Sequence, residues 1–173
     1  MISRFLTHPI ARTNKSCPGD PQRTRLYKLE REFIGTSVYH QASQKHLCLL
    51  ARHVCSYYCV PEIRVVVYND PDQKCFGESV SYSDDDFVTT YGHEIRLNRG
   101  YHGANLTTLL HELAHYISDQ YFEHHRDHGA QFCAIYMHLL DKYRVLPAFA
   151  FRALAKKWGV KIAGRFKPAA IRG

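Results

Sequence analysis

A chain of 173 residues, 45% hydrophobic and 23% charged, is long enough to bury a core without disulfide support and has the composition of an ordinary globular domain. It contains no run of 18 apolar residues, which excludes a membrane-spanning helix, and residues 1–19 lack the apolar stretch of a secretory signal. The net charge of +7 is spread unevenly: residues 1–31 carry +5, residues 32–141 carry −7, and residues 142–173, with nine Lys/Arg and no acid, carry +9.

Basic flanks around an acidic centre suit phosphate backbones through counterion release, so nucleic-acid contact through the termini is one expectation. Two solvated ends that keep the protein soluble are the plainer one. The six cysteines, at 17, 48, 55, 59, 75 and 133, form no CxxC pair, which argues against a zinc ribbon. Cys48 and Cys55 fall on a helical apolar pattern and read as reduced, buried thiols, consistent with a cytoplasmic protein.

Residues 1–22, rich in Pro, Ser, Thr, Asn and Gly, read as an irregular basic segment. Residues 23–35 are charged with scattered apolar positions and fit helix or strand. From Ser37 to Tyr58, Leu47, Leu50, Ala51, Val54 and Tyr58 make one helical face, which Pro61 ends. Four strands are expected next: Ile63–Tyr68, Phe76–Tyr82, Phe87–Tyr91 and His93–Asn98, with turns at 69–72 and 84–86. A helix carries Leu106, Leu110, Leu113 and Ile117, with Asn105 or Thr107 as its cap. A polar loop over 119–127 leads to a helix through Phe132, Ile135, Tyr136, Leu139 and Leu140, with Asp127 a candidate cap. Pro147 opens a last helix through Phe151, Leu154, Ala155 and Trp158. This order predicts an α+β fold, helices packed on a small mixed or antiparallel sheet, over residues 23–160, with a basic tail at 161–173.

The chemistry lies in His111-Glu112-Leu113-Ala114-His115. On a helix, positions i and i+4 share a face, so both imidazoles reach one ion. Zinc suits imidazole, and a catalytic zinc needs three protein ligands and an open position. Glu112, next to His111, is placed to act as general base on a water. The third ligand is expected at His128, which Gly129 and a helix start follow; Glu123, His124, His125 and Asp127 compete with it. The plainer alternatives are ordinary core histidines or a structural metal.

These residues resemble the SprT-like branch of zincin metallopeptidases, which pairs a HExxH helix with a His-Gly-x-x-Phe helix start, here His128-Gly129-Ala130-Gln131-Phe132. The chain is more similar still to small metallohydrolases of actinobacteria and their phages, which share a leader like Asp20-Pro21-Gln22-Arg23 followed by Tyr27 and Glu30. The resemblance covers residues 20–143. It implies a minimal zincin-like domain, Zn2+ on His111, His115 and His128, and peptide-bond hydrolysis in a protein or peptide substrate. It assigns no role to the leader, and the four-cysteine ribbon of some members is absent.

The expected function is thus a zinc metallopeptidase. A zinc nuclease and a nucleic-acid-binding module with structural zinc are the rivals. Strand 93–98, directly before the HExxH helix, is expected at a sheet edge where an extended peptide can pair. Tyr101, Tyr116 or a loop histidine are candidates to stabilise an oxyanion.

Overall fold

The computed structural model describes residues 20, 22–34, 41–72, 77–82, 92–122 and 127–164. In chain order these form α1 (Arg23–Ile34), α2 (Gln44–Tyr58), β1 (Arg64–Tyr68), β2 (Gly77–Tyr82), β3 (Gly92–Asn98), a 3-10 turn (Arg99–Tyr101), α3 (Leu106–Tyr121), α4 (Ala130–Lys142) and α5 (Ala148–Trp158). Five helices and a three-stranded mixed sheet make the described fold α+β. The expected strand at Phe87–Tyr91 and the turn at 84–86 lie outside the described residues, as do most of residues 1–22 and of the tail from 165. Among the described residues no helix is long and apolar enough to cross a membrane.

The strand order is β1-β3-β2. β3 runs parallel to β1, with Val65 opposite Ile95, and antiparallel to β2, with Ser79 opposite Ile95. The expectation that residues 93–98 form an edge strand is therefore corrected: β3 is the middle strand. Its burial agrees, since Ile95 and Leu97 are fully buried and Glu94, on the opposite face of the strand, is buried too. A carboxylate can stay there because Arg64 and Arg96 flank it at 3.3 and 2.7 Å.

Segment 23–34, ambiguous by sequence, is a helix that buries Leu26 and Leu29. α2 begins at Gln44, not near residue 37, because Ser43 caps it: its Oγ accepts from the His46 amide at 3.3 Å. Leu47, Ala51, Val54, Cys55 and Tyr58 point inward from α2. Cys48, Cys55, Cys59 and Cys133 are free thiols.

The path from β3 into α3 is fixed by two buried asparagines. Asn98 Oδ1 accepts from the amides of Asp70 and Gly100, both at 3.0 Å, and its Nδ2 donates to Asp70 O at 2.7 Å. Asn105 caps α3 by accepting from the Thr108 amide at 2.9 Å. Gly77 lets β2 pass close beside this helix, because a Cβ there would lie 2.9 Å from Thr108 Cγ2. α3 is central to the core: Leu109, Leu110, Leu113 and Ile117 are fully buried, each contributing about 1.5–3 kcal/mol of apolar burial. It continues to Tyr121, so the expected loop at 119–127 is shorter than its polarity suggests. Asp127 does not cap α4; Gly129 holds that position and no side chain bonds to it.

Candidate metal centre

α3 contributes His111, Glu112 and His115; the segment before α4 contributes His128. Helical spacing puts His111 and His115 one turn apart, with Nε2 atoms 3.2 Å from each other. His128 Nε2 lies 3.3 Å from His111 Nε2. The ligand nitrogens of the three all lie within 4.8 Å of one another, so these histidines can hold a metal ion. His111 and His128 are buried, His115 is partly so, and Glu112 is buried beside them at 7% exposure.

Two carboxylates from the N-terminal side complete the cluster. Glu30 Oε1 lies 2.7 Å from His111 Nδ1, and Asp20 Oδ2 lies 2.6 Å from His128 Nδ1. A nitrogen facing a carboxylate at that distance carries the hydrogen and donates it. In the neutral imidazoles the Nε2 atoms are then both bare acceptors 3.3 Å apart, an arrangement that repels unless a cation lies between them. The spacing itself fits zinc: Zn–N bonds of about 2.0–2.1 Å in a tetrahedron place ligand nitrogens about 3.3–3.4 Å apart. The donor set and its geometry therefore match a three-histidine metal site.

The surroundings are aromatic. Phe132 packs against all three imidazoles, with ring centroids 5.1, 4.3 and 5.1 Å from those of His111, His115 and His128. Tyr136 lies 5.3 Å from His111, and burial, with Glu30 nearby, pushes its phenol well above the ordinary value. Tyr27 of α1 sits 6.1 Å from His111 and 5.5 Å from His128. Burial raises its phenol as well; a contact from Arg23 Nε at 3.3 Å opposes this, while Glu30 and Glu112 add to it. Burial works against a charged His111, but the Glu30 carboxylate outweighs it and the net shift is upward. His128 is shifted down by burial and by His111, against the pull of Asp20.

The His128 backbone is fixed as firmly as its ring. Its carbonyl accepts from Gln22 Nε2 at 2.9 Å and from Cys133 Sγ at 3.7 Å. Gln22 also donates to Lys161 O at 3.4 Å and accepts from the Lys161 amide. Gly129 itself, at φ −66°, adopts a backbone open to any residue, so the direction of His128 comes from these bonds rather than from glycine.

Of the residues proposed from sequence, His111, His115 and His128 come together, with Glu112 on the same helix. Asp127 is not part of the cluster, and Glu123, His124 and His125 lie outside the described residues. Tyr116 is no oxyanion donor to this site: it is fully buried and donates its hydroxyl hydrogen to Pro61 O at 2.8 Å. The side chain of Tyr101 is outside the described set. Asp20, Gln22, Tyr27 and Glu30, in sequence only a leader of unassigned role, all contact the histidine cluster. No family model matches the chain, and no curated protein or solved structure matches it.

Proposed function

We propose that the protein is a zinc-dependent metallohydrolase of the minimal zincin type that cleaves peptide bonds. The observation that carries this reading is the convergence of His111, His115 and His128, with the Nε2 atoms of His115 and His128 each at zinc-ligand spacing from that of His111, beside a buried glutamate. The resemblance of His111–His115 and His128–Phe132 to the SprT-like peptidases favours a peptide substrate. Zinc held by His111, His115 and His128 supplies Lewis-acid polarisation and an acidified water when bound. Glu112 takes the proton of the attacking water and returns it to the leaving amine. Phe132 and Tyr136 exclude bulk water from the ligand set. With β3 in the interior of the sheet, β2, which passes close to α3, is the edge among the described strands along which an extended substrate would run.

The test is to incubate the zinc-loaded protein with labelled casein, DNA and RNA, alongside Glu112→Gln. Casein cleavage that the variant loses while keeping its zinc supports the reading. Cleavage of nucleic acid alone transfers the site to a nuclease, the alternative favoured by the basic, exposed face of α5. A protein that takes up no zinc removes both.

A further inference from the structure

We infer that Asp20 and Glu30 are positioning residues of the metal centre, and that the N-terminal segment they lie on sets how tightly the three histidines bind zinc. This rests on the metal-site reading above and deepens it. Glu30 and Asp20 stand 81 and 108 positions before the histidines they touch, so α1 is folded over a site whose ligands come from α3 and the segment before α4.

The chemistry of the contacts gives the role. An imidazole binds a metal through one bare nitrogen, and the partner of its other nitrogen decides which one that is. Glu30 and Asp20 hold the hydrogen on Nδ1 of His111 and of His128. Both Nε2 lone pairs are thereby turned to the same point. A carboxylate there also makes the imidazole a better donor, and two of them offset the charge of a divalent ion inside a buried cluster. The carboxylates are themselves enclosed, with side-chain exposures of 12% for Glu30 and 7% for Asp20.

Asp20 does two things at once. Its Oδ1 accepts from the amides of Gln22 and Arg23, both at 3.1 Å, in the first turn of α1, while Oδ2 holds His128. The helix start and the ligand thus share one carboxylate. An asparagine caps a helix as well as an aspartate does, but it has only one oxygen. If that oxygen caps α1, an NH2 faces His128 Nδ1, which moves the ring hydrogen to Nε2 and blocks the metal. Serine at position 20 keeps the cap and removes the contact altogether.

The test measures zinc affinity of the full chain by competition with a chromogenic chelator, for wild type, Asp20→Asn, Asp20→Ser and Glu30→Gln. Glu32→Gln is the control: Glu32 is on the same helix but bonds Lys157 and Trp158, away from the histidines. Melting of the zinc-free proteins is followed in parallel. The expected result is zinc binding weakened about 10- to 100-fold in each of the three site variants and unchanged in Glu32→Gln. Wild-type affinity in Asp20→Asn and Glu30→Gln overturns the inference. Wild-type affinity in Asp20→Ser reduces Asp20 to a helix cap, and an equal loss in Glu32→Gln reduces both carboxylates to docking α1. A wild type that binds no zinc is a different failure, that of the metal site itself, and takes the inference with it.

Discussion

Tyr27 lies on the face of α1 between Asp20 and Glu30, with its ring against His111 and His128. Arg23 donates to its oxygen, so the phenol hydrogen remains to be given to something in the metal centre. That is the chemistry an oxyanion needs, and on the proposed peptidase reading Tyr27 is a candidate to supply it. Tyr27→Phe should keep zinc and fold while lowering kcat for casein about 10²- to 10³-fold with KM little changed. Single-turnover cleavage by the zinc-loaded variant at the wild-type rate would remove the phenol from the mechanism. His111 and His115 were legible because helical periodicity alone puts them together, Glu112 because it adjoins His111, and His128 because a helix start next to a polar loop can aim a side chain back. No such signal reaches Asp20, Tyr27 or Glu30. Their partners are far along the chain, and a carboxylate that orients a histidine has no spacing rule.

At the level of elements, α1 is held by contacts that bear on the metal centre without touching it. Glu32 accepts from Lys157 Nζ at 2.7 Å and from Trp158 Nε1 at 2.8 Å, and Arg25 donates to Gly159 O at 3.1 Å. The Lys157 and Trp158 bonds hold the Glu32 carboxyl below its ordinary value. A folded-state pKa below the unfolded one gives stability that is present above the unfolded value and lost as pH falls through the folded one. The melting difference between wild type and Glu32→Gln should therefore be seen at about pH 7 and shrink as pH falls below the ordinary glutamate value of about 4.3. A difference as large at the acid end would mean that packing, not the carboxylate charge, joins α1 to α5. The packing of α3 allows a larger effect: Leu113 is fully buried on the site helix, and Leu113→Ala should cost about 2–5 kcal/mol in denaturant unfolding. A loss under about 1 kcal/mol would mean that the core closes around the gap. Helices with a long apolar stripe, α3 to α5, were legible for the same reason that they are stable: one face is buried throughout. α1 was not, because only Leu26 and Leu29 are fully buried on it, and the polar Tyr27 and Glu30 share the covered side with them, facing the histidines. The position of β3 was illegible because alternation reports which face of a strand is covered, not how many neighbours it has.

Across the whole molecule, charge is divided as burial requires. The acidic middle includes most of the described core and all three histidines of the site, while residues 142–173 contain no acid. On α5 the positions Phe149, Arg152 and Lys156 recur on one exposed face, with Phe149 77% exposed. Lys157, on another face, is taken by Glu32. An exposed aromatic ring beside two exposed cations matches a phosphate backbone with a base or sugar to stack on, and it matches a protein surface less well. Labelled DNA should bind at low salt, with log K falling linearly against log salt by about 0.9 per phosphate neutralised on a duplex. Arg152→Glu with Lys156→Glu should weaken binding and flatten that slope by about two contacts. Zinc content should not change, since neither residue approaches the histidines. Binding that ignores salt, or that survives both charge reversals, would assign the basic end to solubility alone and leave substrate capture to the sheet edge beside α3.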